Sequence, residues 1–225
     1  MKHALIALPA ALLLALAAQP GVAQDENGDG NLPAAPIQPQ PVPAAEREAV
    51  LNEVDEYLED LDVMTGSFFQ IEPSGVVSQG EFWIDRPGRM RFEYGDQNPY
   101  TLISDGANYI VWDRELEEVN TCVALRQTPL NIFLKNDVDL ERDADVLGLS
   151  RTTSELLVTL KDHDDRVEGA LTLVFAQPAL ELRRFATTND AGERTEIVLT
   201  ETTRGGSVEA SRFVVRGFRQ RDLCE

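Results

Sequence analysis

The feature that most constrains this chain is a long succession of short segments in which apolar and polar side chains alternate. A period of two residues is typical of strands that bury one face. Turn-forming residues separate the segments, so neighbouring strands are expected to pair in antiparallel hairpins. We predict strands at 66–71, 76–85, 90–94, 100–104, 109–113, 118–123, 156–161, 170–176, 180–187, 195–202 and 212–215. About eleven such strands exclude a βαβ architecture and predict a strongly curved sheet or a barrel.

Two helical segments accompany these strands. Between 44 and 65, apolar residues recur at helical spacing with glutamates on the other faces, which is typical of an amphipathic helix. A second, short helix is predicted at 129–135, because Thr128 suits an N-cap and Pro129 suits the first helical position. Its apolar side chains include Leu130, Phe133 and Leu134. Since the concave face of a curved sheet must be filled or must hold a ligand, these helices are candidates to cover it.

The N-terminal part of the chain predicts export. Residues 1–23 read as a secretory signal peptide, with Lys2 as the positive start and a small-residue cleavage site near Ala23. Residues 24–43 are rich in proline, which is typical of an extended linker. The remaining 44–225 are long enough for one domain with a substantial core.

The exported chain keeps two cysteines, Cys122 and Cys224. In an oxidising compartment an even pair favours a disulfide, here between the middle of the chain and its C-terminal end. Two unrelated free thiols remain the alternative, since the sequence does not show that the sulfur atoms meet.

The formal net charge is −19. So acidic a protein is not expected to bind nucleic acid or an anionic membrane surface, because both repel it. Mutual repulsion between copies also favours a soluble protein, and we expect a monomer.

The sequence gives little support for a catalytic function. One histidine, His163, remains after the signal peptide, among aspartates in a polar stretch that reads as a solvated hairpin tip. No nucleophile elbow, phosphate-binding loop or paired Cys-His signature occurs. We therefore expect no enzyme activity, no catalytic residue, no metal site and no cofactor.

The stretch FWIDRPGRMRFEYG, residues 82–95, raises a specific question about Arg86. Its alternation places Phe82, Ile84 and Arg86 on one face of a strand. A guanidinium is costly to bury without partners, and the following Pro87-Gly88 is typical of a tight turn. Spacing alone therefore favours an Arg86 that points into water.

Several short motifs, in their order and spacing, resemble the LolA family. They are Phe68-Phe69-Gln70, Gly80-Glu81-Phe82-Trp83-Ile84, Arg86-Pro87-Gly88-Arg89, Ser104-Asp105-Gly106 and Thr128-Pro129-Leu130, and the resemblance covers about 44–215. Members of this family are periplasmic carriers that move lipoproteins from the inner to the outer membrane of Gram-negative bacteria. The resemblance implies an incomplete, open antiparallel β-barrel of about eleven strands, with a helical lid over an apolar cavity.

The resemblance also implies roles for particular residues. Arg86 would face the cavity and bond to the backbone of the lid in the closed state, as a lid latch, which reverses the expectation from spacing alone. The acyl-chain cavity would be lined by Phe68, Phe82, Ile84, Met90, Phe92 and Tyr94. The lid helix would carry Leu130, Phe133 and Leu134.

The partners implied are the acyl chains of outer-membrane lipoproteins as cargo, an inner-membrane lipoprotein-releasing ABC transporter and, if present, an outer-membrane acceptor. Two alternatives stay open. One is a LolB-like acceptor, although such receptors are lipid-anchored and no cysteine stands directly after the predicted cleavage point. The other is a related periplasmic lipid-binding or sensing domain that transports no lipoprotein.

Overall fold

A computed structural model describes residues 38–215 and Cys224; the predicted signal peptide and residues 24–37 of the predicted linker lie outside the described residues. The strands are β1 (Gln40–Pro41), β2 (Val63–Ile71), β3 (Val77–Asp85), β4 (Arg89–Tyr94), β5 (Tyr100–Asp105), β6 (Asn108–Asp113), β7 (Glu118–Ala124), β8 (Ala144–Arg151), β9 (Glu155–Asp162), β10 (Ala170–Ala176), β11 (Glu181–Thr188) and β12 (Arg194–Arg204). The helices are α1 (Ala44–Glu59), α2 (Asn131–Leu134) and α3 (Leu140–Asp143), with 3-10 turns at Leu125–Gln127 and Ala210–Phe213.

All twelve strands of the described part form one antiparallel sheet, in the order β1-β8-β9-β10-β11-β12-β2-β3-β4-β5-β6-β7. The sheet is open, because β1 and β7 stand at its two ends. The central β12–β2 contact brings the C-terminal strand beside the first long strand, so that the two halves of the chain share one continuous surface. The predicted mainly β fold with an open antiparallel sheet is therefore confirmed, with twelve strands in place of about eleven.

The strand predictions hold for β2 to β7 and β9 to β12, with ends that differ by a few residues. β8 was not predicted, because a register shift between Val146 and Gly148 breaks its alternation. The predicted strand at 212–215 is wrong, because this stretch begins within a 3-10 turn. Its buried residues, Phe213 and Val215, alternate because they pack against the sheet.

The predicted linker overlaps the fold at its last residues. Gln40–Pro41 pair with Arg151 and Ser150 of β8 as a short edge strand. The backbone N–H of Val42 also donates to the carbonyl of Leu149 at 3.0 Å. A proline fits this place because an edge strand leaves one row of backbone groups unpaired.

Helices fill the concave face of the sheet. One cluster of buried side chains joins α1 and α2 to the inner face of most strands. From the three helices it takes Leu51, Val54, Tyr57, Leu58, Ile132, Phe133, Leu134 and Leu140. Burying each large apolar side chain contributes about 1.5–3 kcal/mol. Packing therefore holds α2 in place, since a helix of four residues is not stable alone.

Nowhere in the described chain is a helix both long and apolar enough to cross a bilayer.

Candidate functional site

Two glycines shape the inner face of β2 and β3. Gly66 pairs with Phe82 across the two strands, and Gly80 pairs with Phe68. A Cβ atom at Gly80 would lie 2.8 Å from the ring of Phe68 and 2.0 Å from the carbonyl oxygen of Glu93. Each glycine therefore lets the opposite phenylalanine ring lie close against the backbone, so that the aromatic side chains cover the concave face.

The six side chains predicted for the cavity all lie on this face and are at most 3% exposed: Phe68, Phe82, Ile84, Met90, Phe92 and Tyr94. The aromatic rings among them pack together, with centroids 5.0 Å apart for Phe68 and Phe92 and 5.5 Å apart for Phe82 and Phe92. Met90, Phe92 and Tyr94 line an open cleft, whereas Phe68, Phe82 and Ile84 are enclosed in the core beneath it.

The cleft has a volume of about 340 Å³. Its apolar wall also includes side chains from β5, β6, β11 and β12 that sequence analysis did not single out: Leu102, Val111, Phe185 and Ile197. A second cleft of about 280 Å³ adjoins it, because both are lined by Tyr109, Leu130, Thr187 and Thr195. The alternation of β12 was a usable signal for Ile197, which lies in phase with the buried Leu199, whereas the neighbours of Phe185 two positions away in β11, Arg183 and Thr187, are only half-buried.

Residues 128–143, which we call the α2–α3 segment, cover part of the concave face. Leu130, Phe133 and Leu134 are 7%, 0% and 0% exposed, and Leu130 also borders the cleft. The rings of Phe133 and Phe185 have centroids 5.6 Å apart. Thr128 is not an N-cap as predicted, because its hydroxyl donates to the carbonyl of Leu125 at 2.8 Å and α2 begins at Asn131.

Arg86 is buried and points inward, at 8% exposure. Its Nη1 donates to the carbonyl of Leu61, just after α1, at 3.1 Å, and its Nη2 donates to the carbonyl of Lys135, just after α2, at 2.5 Å. Burial lowers the pKa of Arg86 below its ordinary value, and the charges of Glu59 and Asp62 partly offset this effect. The guanidinium therefore joins the ends of two helices to the end of β3.

Further hydrogen bonds attach the α2–α3 segment to its surroundings. The N–H of Gly88 donates to the carbonyl of Leu134 at 2.7 Å. From α1, Glu59 accepts from the N–H of Val138 at 2.5 Å, and Asp55 accepts from the N–H of Leu140 at 3.1 Å. These carboxylate contacts join residues far apart in the sequence, so no local pattern could have indicated them.

Comparison with known proteins identifies the family. Residues 59–216 match the model of the outer membrane lipoprotein carrier protein LolA. The chain belongs to the LolA family. This match covers most of the described sheet, including β2 to β12.

Relatives within the LolA family are only moderately similar to this chain. An outer-membrane lipoprotein carrier protein of Alkalilimnicola ehrlichii is 36% identical over 80 residues, which are 33% of this chain and 37% of that protein. One of Halorhodospira halophila is 28% identical over 174 residues, 72% of this chain and 79% of that protein. A solved LolA superfamily protein of Nitrosomonas europaea gives a TM-score of 0.42 at 9% identity, covering 75% of this chain and 97% of that one. A structural likeness of this size says nothing about function.

On the convex face of this LolA-family sheet, Cys122 of β7 is bonded to Cys224, with Cα atoms 5.4 Å apart. Val215 packs there with Ile103, Ile110 and Trp112. The disulfide thus fastens the C-terminal end to the side of the sheet that faces away from the cleft.

No cluster of metal-ligating side chains occurs among the residues that the structure describes. His163 lies on the surface, with its Nε2 atom 3.4 Å from a carboxylate oxygen of Asp145. The cleft itself is lined by apolar side chains together with polar ones, including Gln70 and Glu72.

Proposed function

We propose that this chain is a periplasmic carrier that shields the acyl chains of lipoproteins and moves them from the inner to the outer membrane. One observation carries the proposal: an apolar cleft on the concave face of an open sheet continues into a core that helical side chains fill. Membership of a family of lipoprotein carriers supports the same role.

The energetic need for such a carrier follows from solvation. Each exposed CH₂ group costs roughly 0.8 kcal/mol in water, so one chain of about sixteen carbons costs on the order of 12 kcal/mol. A lipoprotein with several such chains does not cross an aqueous space unaided. Met90, Phe92, Phe185 and Ile197 offer the apolar contacts that replace water around a chain.

Release requires that cargo binding is not too favourable. In the closed state Leu130, Phe133 and Leu134 occupy the apolar face themselves. Loading exchanges these contacts for acyl contacts, so the closed and loaded states stay close in free energy. In this scheme the α2–α3 segment is the lid, and Arg86 latches it in the empty protein through the carbonyl of Lys135.

The partners that fit this scheme are those implied by the family. Cargo would arrive from an inner-membrane lipoprotein-releasing ABC transporter and leave to an outer-membrane acceptor where one exists. The carrier would work as a periplasmic monomer after cleavage near Ala23, and its strong negative charge supports repulsion between copies.

Capture of cargo from the periplasm tests the proposal. The tagged chain, expressed with its signal peptide in a Gram-negative host, should co-purify with triacylated lipoproteins that mass spectrometry identifies. Phe133→Asp should abolish capture, because it places a carboxylate where apolar contacts are needed. Leu147→Asp is the matched control, since Leu147 lies on β8 and is 59% exposed. Recovery of free phospholipid without any lipoprotein would contradict the carrier role and favour a lipid-binding domain.

A further inference from the structure

We propose that Asp55 and Glu59 are positioning residues that clasp the α2–α3 segment over the cleft, more tightly at acidic than at neutral pH, and so set the rate of cargo exchange. The proposal rests on the carrier function proposed above. It adds an attachment to α1 to those that Arg86 and Gly88 provide.

The clasp consists of two side-chain-to-backbone hydrogen bonds. Glu59 accepts from the N–H of Val138, and Asp55 accepts from the N–H of Leu140. Asp55 and Glu59 are four positions apart, so they lie on one face of α1. Val138 and Leu140 are 5% and 0% exposed, so movement of the segment removes apolar side chains from the core and breaks both bonds together.

The charges around Asp55 are mostly negative. Those that act on it from the α2–α3 segment are Asp139, Glu141 and Asp143, and Glu56, Glu59 and Asp60 of the α1 end line the same groove. The nearby cations already have partners: Lys135 and Arg142 pair with Asp143, and Arg47 pairs with Glu141. Arg86, on which the charge of Glu59 acts, donates to the carbonyls of Leu61 and Lys135. An ionised Asp55 is therefore repelled by the segment that it holds.

Titration of Asp55 gives this clasp its pH dependence. Burial, together with the neighbouring carboxylates, raises the pKa of Asp55 from 3.8 to about 6, although the bond from Leu140 opposes the rise. If the open state returns Asp55 to water, the closed state binds the proton more tightly. Closure is then favoured as the pH falls below about 6 and is weakened as the pH rises through that value. The neutral carboxyl group keeps its carbonyl oxygen as acceptor for Leu140.

Between pH 7 and pH 5 the ratio of closed to open protein should rise about tenfold. The experiment measures the rate at which the full mature chain takes up a fluorescent probe with a sixteen-carbon acyl chain, from pH 5 to pH 7.5. Uptake by the wild type should slow about tenfold from pH 7 to pH 5. The side chain of Asp55→Asn is neutral and keeps an oxygen that can accept from Leu140. This variant should therefore take up the probe slowly at both pH 7 and pH 5.

Two more variants separate the clasp from a general effect of charge. Glu59→Ala loses one bond and should take up the probe faster at every pH, while its pH dependence stays. Glu53→Gln changes an exposed glutamate of α1 and should reproduce the wild-type profile. At pH 7, amide exchange at Leu140 should be slower in Asp55→Asn than in the wild type, which confirms a tighter closed state in a folded variant.

The outcomes distinguish this clasp from the carrier function. Saturable binding by all proteins with one common pH profile would overturn the clasp and leave the carrier function intact. A complete lack of binding by every folded protein would overturn the carrier function and the clasp with it.

Discussion

Arg86 is a buried cation whose two described side-chain partners are neutral carbonyl oxygens, those of Leu61 and Lys135. Among the described residues its Nε atom has no hydrogen-bond partner. A guanidinium held in this way depends on the helix ends staying where they are, because their departure leaves a charge in an apolar face. The hydrogen bonds that compensate for the burial of Arg86 therefore depend on the position of α2.

Arg86→Leu should load cargo but deliver it poorly. The substitution removes charge-assisted bonds worth about 1.5–3 kcal/mol from the closed state and adds apolar surface to the cavity. Uptake from an inner-membrane preparation and delivery to an acceptor should be measured as separate steps.

Arg89→Leu is the control, since Arg89 lies at the same turn but is paired with Asp85 at 2.6 Å. Arg89→Leu should be somewhat less stable than the wild type but should still take up cargo and deliver it. Normal delivery by a well-folded Arg86→Leu protein would contradict the latch.

At the scale of the element, the β2–β3 pair is built around reciprocal contacts between glycine and phenylalanine. Gly66 faces Phe82, and Gly80 faces Phe68, so no side chain keeps either ring away from the backbone of the opposite strand. Without this arrangement the rings would stand further into the cavity and reduce the space for α2.

Gly80→Ala should lower the free energy of unfolding by about 1–3 kcal/mol, as overpacking does in a dense core. The added Cβ would lie 2.0 Å from the carbonyl oxygen of Glu93, so β4 must shift. Gly148→Ala is the matched control in β8, where the nearest atom, from Thr159, is 3.6 Å away. Denaturant titration of both variants measures the difference, and equal stability of the two would refute this account of the β2–β3 pair.

At the scale of the whole molecule, the disulfide joins two residues that are 102 positions apart. In the chain-entropy account, a cross-link over so long a loop stabilises the fold by restricting the unfolded chain. The double variant Cys122→Ser with Cys224→Ser should therefore lose about 2–4 kcal/mol of unfolding free energy. Thermal unfolding with and without a reductant provides the comparison: the reduced wild type should match the variant, and an unchanged midpoint would argue against this contribution.

How far the sequence predicts this molecule depends on the range of the interactions. Alternation predicted most strands and the inward phase of Met90 and Phe92, because a strand's two faces are a local property. It could not decide the direction of Arg86, since the carbonyl partner at Lys135 is supplied 49 positions along the chain. For the same reason the local sequence pattern could not indicate the hydrogen bond from Leu140 to Asp55.

The open ends of the sheet, at β1 and β7, have a consequence for how much the carrier can hold. A closed barrel has its diameter set by the number of strands and their stagger. Where the two ends are not joined, the sheet can uncurl and increase its circumference without breaking any bond between neighbouring strands. The capacity of the proposed carrier would then be elastic, and the cleft of about 340 Å³ would be its size in the closed state.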